Sequence, residues 1–361
     1  MIYLDANATE PLRPESRAAA IAAMDLVGNP SSVHAAGRAA RAALERARRI
    51  IAQQFGADAG GVVFTSGGTE ADALAVAGLG AGRRVIVSAV EHDAIRAAAP
   101  DATMLPVDGD GVADLETLAG MLADGPALVC LMLANNETGT IQPVTEAAAL
   151  CRAAGALLHV DAVQAAGRMA IDLGALGADS MAISGHKLGG PKGAGALLLA
   201  HGRDVAALMR GGGQEKGRRG GTQALPAIAG LAAATLCARA DTRLLRDAIE
   251  AAVRMAGGRV LGGQRRLANT VCAALPGVSA ETQVIALDLA GVQVSAGAAC
   301  SSGKVSRSHV LDAMGLGELA GQAIRVSLPW NASAADVTAF AQAYGVMAGR
   351  LRQRRVVEEP A

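Results

Sequence analysis

An α/β fold built on a largely parallel sheet is what the order of short apolar runs predicts. Six such runs fall at 62–65 (VVFT), 85–90 (VIVSAV), 127–133 (ALVCLML), 156–160 (ALLHV), 180–183 (SMAI) and 195–199 (GALLL), each too short for an ordinary helix. Helical patterns separate them at 36–55, 69–79, 113–123 and 145–154. Strand–helix alternation of this kind calls for parallel strands covered on both faces. Length sets the number of units: 361 residues exceed one ordinary core and suit two domains.

The elements follow in order. Helix 36–55 contains GRAARAALERARR, with Leu44, Ala47, Ile51 and Phe55 on one face. Its arginines are therefore expected on a solvated outer face. Past residue 224 the alternation stops. The Ala/Leu-rich stretch 225–256 reads as one long helix leading into a smaller unit. That unit has strand-like 268–275, 284–289 and 323–328 and a final helix near 333–352, after which the tail RQRRVVEEPA is expected to fray.

Composition excludes several classes. With 33 basic and 33 acidic residues the formal charge is zero, so the footprint of a nucleic-acid binder is missing. The opening MIYLDANATEP lacks a basic then apolar leader pattern, and no uncharged apolar run reaches membrane length. The five cysteines (130, 151, 237, 272 and 300) are odd in number and lack CxxC spacing. That predicts a reducing cytoplasm and speaks against a disulfide frame or a zinc knot. Cys130, Cys151, Cys237 and Cys272 sit in apolar contexts and read as small core residues. Cys300, inside VSAGAACSSGKVS, does not, because such small neighbours cannot build a core.

In an open parallel sheet, ligands bind beyond the carboxyl ends of the strands. FTSGGTEAD follows strand 62–65 and enters a helix, so Ser66, Gly67, Gly68 and Thr69 form either a phosphate cup or an ordinary capped turn. VSAVEHDAI brings Glu91 and His92 to the end of the next strand, and MLANNETGTIQP brings Asn135, Asn136 and Glu137, polar groups that bind a planar ligand or build a turn. LLHVDAVQAAG ends its strand with Asp161 and Gln164. A metal on His159 and Asp161 would need further ligands, and the sequence supplies no clear third.

AISGHKLGGPKGAGALLL sets Ser184, His186 and Lys187 on a glycine-rich turn. It is not a P-loop: Gly185 and Gly190 have the spacing, but Pro191 stands where the lysine belongs. It is not a dinucleotide fingerprint either, since GLGAG (78–82) precedes its strand. RGGGQEKGRRGGTQALP (210–226) is a surface turn, or a gate or subunit contact bringing Arg218, Arg219 and Thr222 to a phosphate. A phosphate cup, an acid for a pyridinium nitrogen and a lysine for a Schiff base are together what pyridoxal phosphate requires. Gly68, Thr69, Ser184 and His186 are its expected phosphate anchors, Asp161 its ring-nitrogen partner and Lys187 its covalent link.

Over nearly the whole chain the sequence resembles the NifS/IscS-like cysteine desulfurases, of the class V aminotransferase family and fold type I. The stretches that carry the likeness include YLDANAT, GNPSSVHAAGRAAR, FTSGGTEAD, NNETGTIQP, HVDAVQ, SGHKLGGPKGAGAL, GGGQEKGRRGGT, GAACSSG and IRVSL. The resemblance implies an aspartate aminotransferase-like fold with a seven-stranded, largely parallel sheet and a smaller α+β domain. Its divisions would be 1–14, a segment packing with the small domain; 15–240, the cofactor-binding domain; and 241–361, which carries the cysteine loop. It implies that His92 stacks on the ring and moves protons, that Gln164 meets the ring hydroxyl, and that Asn136 and Arg325 hold the substrate. Arg325 would fork onto the carboxylate. Thr222 would reach the phosphate of the partner subunit in a homodimer.

Cys300 would be the nucleophile that takes sulfur from L-cysteine, leaving L-alanine and a persulfide. The sulfur would pass to an iron–sulfur scaffold or another acceptor, with Cys300 a transient ligand of a nascent cluster. The small residues around Cys300 would give a tether able to swing, at an entropic cost. An ordinary aminotransferase or a selenocysteine lyase would share Lys187 and Asp161, and a non-enzymatic assembly subunit could share the fold. Three positions depart from the family pattern: Glu10 where Thr is usual, Ala73 where Asn is common, and Pro329-Trp330 where Gly is usual.

Overall fold

The computed structural model describes residues 1–297 and 307–358, with side chains up to 351. Cys300 therefore lies outside the described residues. Seven strands make the large sheet, in the order Val62–Thr65, Gly195–Leu199, Ser180–Ser184, Leu157–Asp161, Ala127–Cys130, Arg84–Ser88 and Thr103–Leu105. Only Gly195–Leu199 runs antiparallel to its neighbours. The other adjacent pairs are parallel. The strand missing from the expected set, Thr103–Leu105, is an edge strand with two of its three residues exposed. Such an edge needs no apolar run, so it left no signal in the sequence.

Helices cover both faces. Ala35–Gln54 buries Leu44, Ala47 and Ile51 and ends against the buried Phe55, and Gly68–Leu79 packs Ala71, Leu74 and Ala75 on the opposite face. The strands they sandwich are fully buried along their length, which is why they read as continuous apolar runs and not as alternation.

A second sheet of four antiparallel strands is ordered Ser295–Ala296, Ala323–Ser327, Thr270–Ala274 and Arg259–Leu261. Here two expectations fail. Residues 284–289 are not a strand; they end the helix Ala280–Leu289, which Ser279 caps by accepting from the Thr282 N–H at 3.2 Å. The buried Ala280, Gln283 and Leu287 give the helical spacing, hidden because Gln283 is polar. The stretch 225–256 is two helices, Leu225–Thr235 and Arg243–Met255. Asp241 starts the second by accepting from the Arg243 N–H at 3.1 Å. The last helix, Ala334–Glu358, continues into the tail expected to fray.

The N-terminal segment is stitched to this second sheet. Ile2–Tyr3 pairs in parallel with Val292–Gln293, and Asp5 bridges to Ser327. Among the described residues no helix is long and apolar enough to cross a membrane. Cys130, Cys151 and Cys272 are buried, but Cys237 is half-buried, with its thiol 3.6 Å from Glu15 Oε2, so it is not a core residue.

Arg48 also departs from expectation: it turns inward. Its guanidinium lies 4.7 Å over the Phe64 ring and forks onto Glu215 at 2.7 and 3.0 Å. Glu215 also accepts from the Phe64 N–H at 3.0 Å and from Gln223 Nε2 at 2.8 Å. These bonds hold Glu215 and Lys216 in the left-handed region, at φ 48° and 59°, a conformation that costs roughly 1–2 kcal/mol per residue. One buried ion pair thus pins the loop 210–224 to the edge of the large sheet. Burial alone would push the Glu215 carboxyl up, but Arg48, Gln223 and the Phe64 N–H outweigh it and hold it below its usual value. Glu215→Gln should cost about 3–5 kcal/mol in urea unfolding, because it strands a buried guanidinium. The difference from wild type should be full above pH ~4.5 and shrink as the pH falls through the depressed native value.

Candidate active site

Lys187, Gln164, Asn136, Arg325, Asp161 and His92 gather beyond the carboxyl ends of the central strands, and the N-terminal segment closes them from the side. The centre of the group is Asn7, a residue with no role expected from its sequence context. Its main-chain carbonyl accepts from Lys187 Nζ at 2.7 Å and from Gln164 Nε2 at 3.0 Å. Its fully buried side chain donates to the Asn136 carbonyl at 3.1 Å and to Thr270 Oγ1 at 2.9 Å, and accepts from Asn269 Nδ2 at 3.1 Å. Asn7 thus ties the lysine turn, the strand-end asparagine and the second sheet to one residue. Flanked by Ala6 and Ala8, it has no local pattern that distinguishes it from a turn amide.

Lys187 ends the short turn Gly185–Lys187 that leaves strand Ser180–Ser184. His186, beside it, meets Thr9 Oγ1 through Nδ1 at 3.2 Å. Burial, then Lys187 and Lys192, push His186 down to about 4, so it is neutral near pH 7. Strand Ser180–Ser184 also delivers Ser184, whose hydroxyl is buried and has no hydrogen-bond partner among the described residues. That oxygen faces the start of helix Gly68–Leu79: a Cβ built on Gly67 would stand 3.8 Å from it. A Cβ on Gly68 would stand 2.6 Å from Val163 Cγ2, and one on Gly195 2.6 Å from the Gly67 main chain. The backbone therefore approaches so closely that only glycine fits. An unsatisfied hydroxyl beside the positive end of a twelve-residue helix is a fit for a phosphate group.

Thr69 is exposed on the first turn of that helix. Thr222 is exposed in the loop 210–224. The arginines of that loop are engaged: Arg219 pairs with Glu70 at 2.8 Å, and Arg218 with Asp204 at 2.7 Å. Glu70 in turn accepts from the Ser66 N–H at 2.7 Å, so the loop is fastened at the rim of the glycine turn.

Three buried carboxyls lie near one another at the sheet end. Burial, then Asp161 and Glu91, push Asp72 well up; burial, then Asp161, push Glu91 well up. Burial raises Asp161 too, but the Val163 N–H at 2.8 Å, His92 and Lys187 pull it back. Of the three, only Asp161 has Lys187 and His92 working against burial, which makes it the carboxyl best placed to meet positive charge. His159 is no metal ligand in waiting: its nitrogens meet Ser180 Oγ at 2.8 Å and Asp72 at 3.1 Å, and burial lowers it to about 3. Among the described residues no group of three His, Cys, Asp or Glu could hold a metal ion.

His92 begins the helix Asp93–Ala98 and accepts from the Ala94 N–H through Nδ1 at 3.1 Å, which leaves the proton of the neutral ring on Nε2. Arg325, on strand Ala323–Ser327, pairs with Asp5 at 2.8 Å and donates to the Asn136 carbonyl at 3.3 Å. Its Nε is buried without a hydrogen-bond partner among the described residues, a donor left for an anion. The described residues that border the Cys300 segment are seated by Glu137. Its Oε2 accepts from Ser308 Oγ at 2.6 Å, and a Cβ on Gly297 would stand 2.3 Å from that same oxygen.

The class-V aminotransferase family model matches residues 2–340. Among curated relatives, a cysteine desulfurase of Cereibacter sphaeroides is 43% identical over 97% of this chain and 96% of its own. An IscS-like cysteine desulfurase of Mycobacterium tuberculosis is 37% identical over 94% of each. Among solved structures, a NifS-like protein from Rickettsia africae superposes with a TM-score of 0.88 at 33% identity, covering 97% of this chain and 99% of that one. SspA in complex with cysteine superposes at 0.82 and 28% identity, covering 91% and 99%.

Asn7→Ala should lower stability by about 2–4 kcal/mol, the net worth of three buried side-chain hydrogen bonds. The urea midpoint of the purified protein measures it, and an unchanged midpoint would contradict the central place given to this residue.

Proposed function

This chain belongs to the class-V aminotransferase family, in its NifS/IscS-like cysteine desulfurase group, and from that premise we propose how its residues carry out the activity. The enzyme is a cysteine desulfurase, which takes sulfur from L-cysteine and leaves L-alanine. The observation that carries the reading is the convergence of Lys187, Asp161 and an unsatisfied buried Ser184 hydroxyl at one end of the sheet. The donor set fits pyridoxal phosphate. Gly68, Thr69, Ser184 and His186 would hold its phosphate, Asp161 its ring nitrogen, Gln164 its ring hydroxyl, and His92 the face of its ring. Bound there, the cofactor supplies an electron sink for charge developing at the substrate α-carbon.

The protein's own part begins with binding. Arg325 offers its unpaired Nε to the substrate carboxylate, while Asp5 keeps the guanidinium oriented. Asn136 sits beside it, its carbonyl held by Asn7 and Arg325. The Lys187 amine, guided by the Asn7 carbonyl, removes the α-proton and returns it to the product. Asp161 would stabilise positive charge on the ring nitrogen opposite it. The Nε2–H of His92 would donate a proton at the substrate sulfur, and His92 is also the candidate for proton transfer at the Cys300 thiol once Nε2 has given its proton up. A free thiol, with a pKa near ~8.5, is only slightly ionised at neutral pH, so a nearby base would speed attack.

Cys300 takes the substrate sulfur and leaves as a persulfide, which an acceptor protein discharges. An iron–sulfur scaffold is one acceptor of the right chemistry, with Cys300 as a passing ligand to the nascent cluster. Thr222, exposed on one subunit, would complete the phosphate site of a second copy in a homodimer. The five-cysteine pattern favours a reducing compartment, the cytoplasm. The divisions 1–14, 15–240 and 241–361 remain the proposed units, meeting at Asn7.

Mass spectrometry after incubation with L-cysteine should find one added sulfur on Cys300. Cys300→Ser should keep the visible band of bound cofactor and lose sulfide release. Full release by that variant would refute the assignment. Lys187→Ala should lose roughly 10²–10⁴-fold in turnover and should no longer fix the cofactor on borohydride reduction.

A further inference from the structure

Two of the positions that depart from the family pattern, Glu10 and Trp330, touch each other. Glu10 Oε1 accepts from the Trp330 N–H at 2.6 Å, and Trp330 Nε1 donates back to the Pro11 carbonyl at 2.9 Å. Glu10 Oε2 pairs with Arg168 Nη2 at 3.2 Å, and both side chains are buried, at 6% and 8% exposure. Arg168 spends its other terminal N–H groups inward. Nη2 donates to the Ala6 carbonyl at 3.2 Å, and Nη1 donates to the Gln164 carbonyl at 2.8 Å and to Gln164 Oε1 at 2.5 Å.

The consequence falls on Gln164. Its Oε1 faces a guanidinium, which only donates, and its Nε2 faces the Asn7 carbonyl, which only accepts. A flipped carboxamide would set oxygen against oxygen and N–H against N–H. The amide therefore has one permitted orientation. In it the carbonyl oxygen is consumed by Arg168, and the remaining N–H of Nε2 is what the side chain can offer to a ligand beside Lys187.

We infer that Glu10 and Arg168 are positioning residues for the desulfurase site: together they lock the Gln164 carboxamide as a hydrogen-bond donor, so that the site favours an anionic oxygen on the ring of its cofactor. Glu10 sets Arg168, Arg168 sets Gln164, and Gln164 shares the Asn7 carbonyl with the reactive amine. Because Glu10 also holds the Trp330 N–H, this orientation is tied to the segment that follows the Arg325 strand. The inference rests on the pyridoxal-phosphate reading given above.

The test is a pH titration of the visible absorption band of the cofactor-loaded enzyme. Arg168→Met should raise the apparent pKa of that band by about one unit, a tenfold change in proton affinity, because Gln164 is then free to turn its oxygen inward. Glu10→Ala should move it the same way by less. Should Arg168→Met not fold around an unpaired Glu10, the neutral pair Glu10→Ala/Arg168→Met serves in its place and should give the same shift. In a Gln164→Ala background, Arg168→Met should produce no further shift, since the effect acts through the amide. An unchanged titration in the Arg168 variants, or a shift that persists without Gln164, overturns the inference and leaves the desulfurase reading standing. A wild-type protein that forms no visible band with pyridoxal phosphate sinks both.

Discussion

The main-chain carbonyl of Asn7 is the constraint on which the rest of the site turns. A carbonyl oxygen has two lone pairs, and here one is taken by Lys187 and the other by Gln164. The amine is therefore placed by backbone, which cannot rotate away as a side chain would. That backbone is itself fixed. The Asn7 side chain and N–H are spent on Asn136, Thr270, Asn269 and Ser327, three of which belong to the second sheet or its edges. The position of the reactive nitrogen thus depends on how two separate cores sit against the first few residues of the chain.

Electrostatics at this end of the sheet follow from the same enclosure. Burial makes every carboxyl there reluctant to ionise, and mutual repulsion increases the effect for Asp72 and Glu91. Asp161 is raised as well, but there the Val163 N–H, His92 and Lys187 pull against burial. Neutral His159 and His186 add no positive charge.

The sequence made much of this legible, for reasons that can be stated residue by residue. Fully buried parallel strands read as apolar runs, and their polar last residues or followers, such as Asp161, Ser184 and Asn136, stood out because nothing in a core explains them. What stayed hidden obeys a different logic. Thr103–Leu105 is an exposed edge without an apolar run. Helix Ala280–Leu289 buries a glutamine, which breaks its apparent stripe. Arg48 lies in a run of arginines that reads as solvated, and distant partners, Glu215 with the Val62 carbonyl and the Phe64 ring, hold it inward. Asn7 acts mainly through its carbonyl, which every residue has. Cys300, the residue that first asked for a chemical explanation, lies outside the described residues, so its sequence context alone carries its assignment.

Two buried ion pairs do corresponding jobs in the structure. A buried pair is weak as a source of stability, since desolvation offsets most of the attraction, yet losing one partner is costly. Arg48–Glu215 uses that asymmetry to hold a strained backbone, with Glu215 and Lys216 at positive φ. Glu10–Arg168 uses it to fix the orientation of an amide whose two ends differ only in what they donate or accept. An apolar replacement at either place could match the stability and would lose the direction. Glu10 Oε1, the oxygen not paired with Arg168, is met by the main-chain N–H of Trp330, a donor any non-proline residue would supply, while the Trp330 indole donates to the Pro11 carbonyl. Arg13 then stacks 5.0 Å over the Trp330 ring and covers the junction from outside.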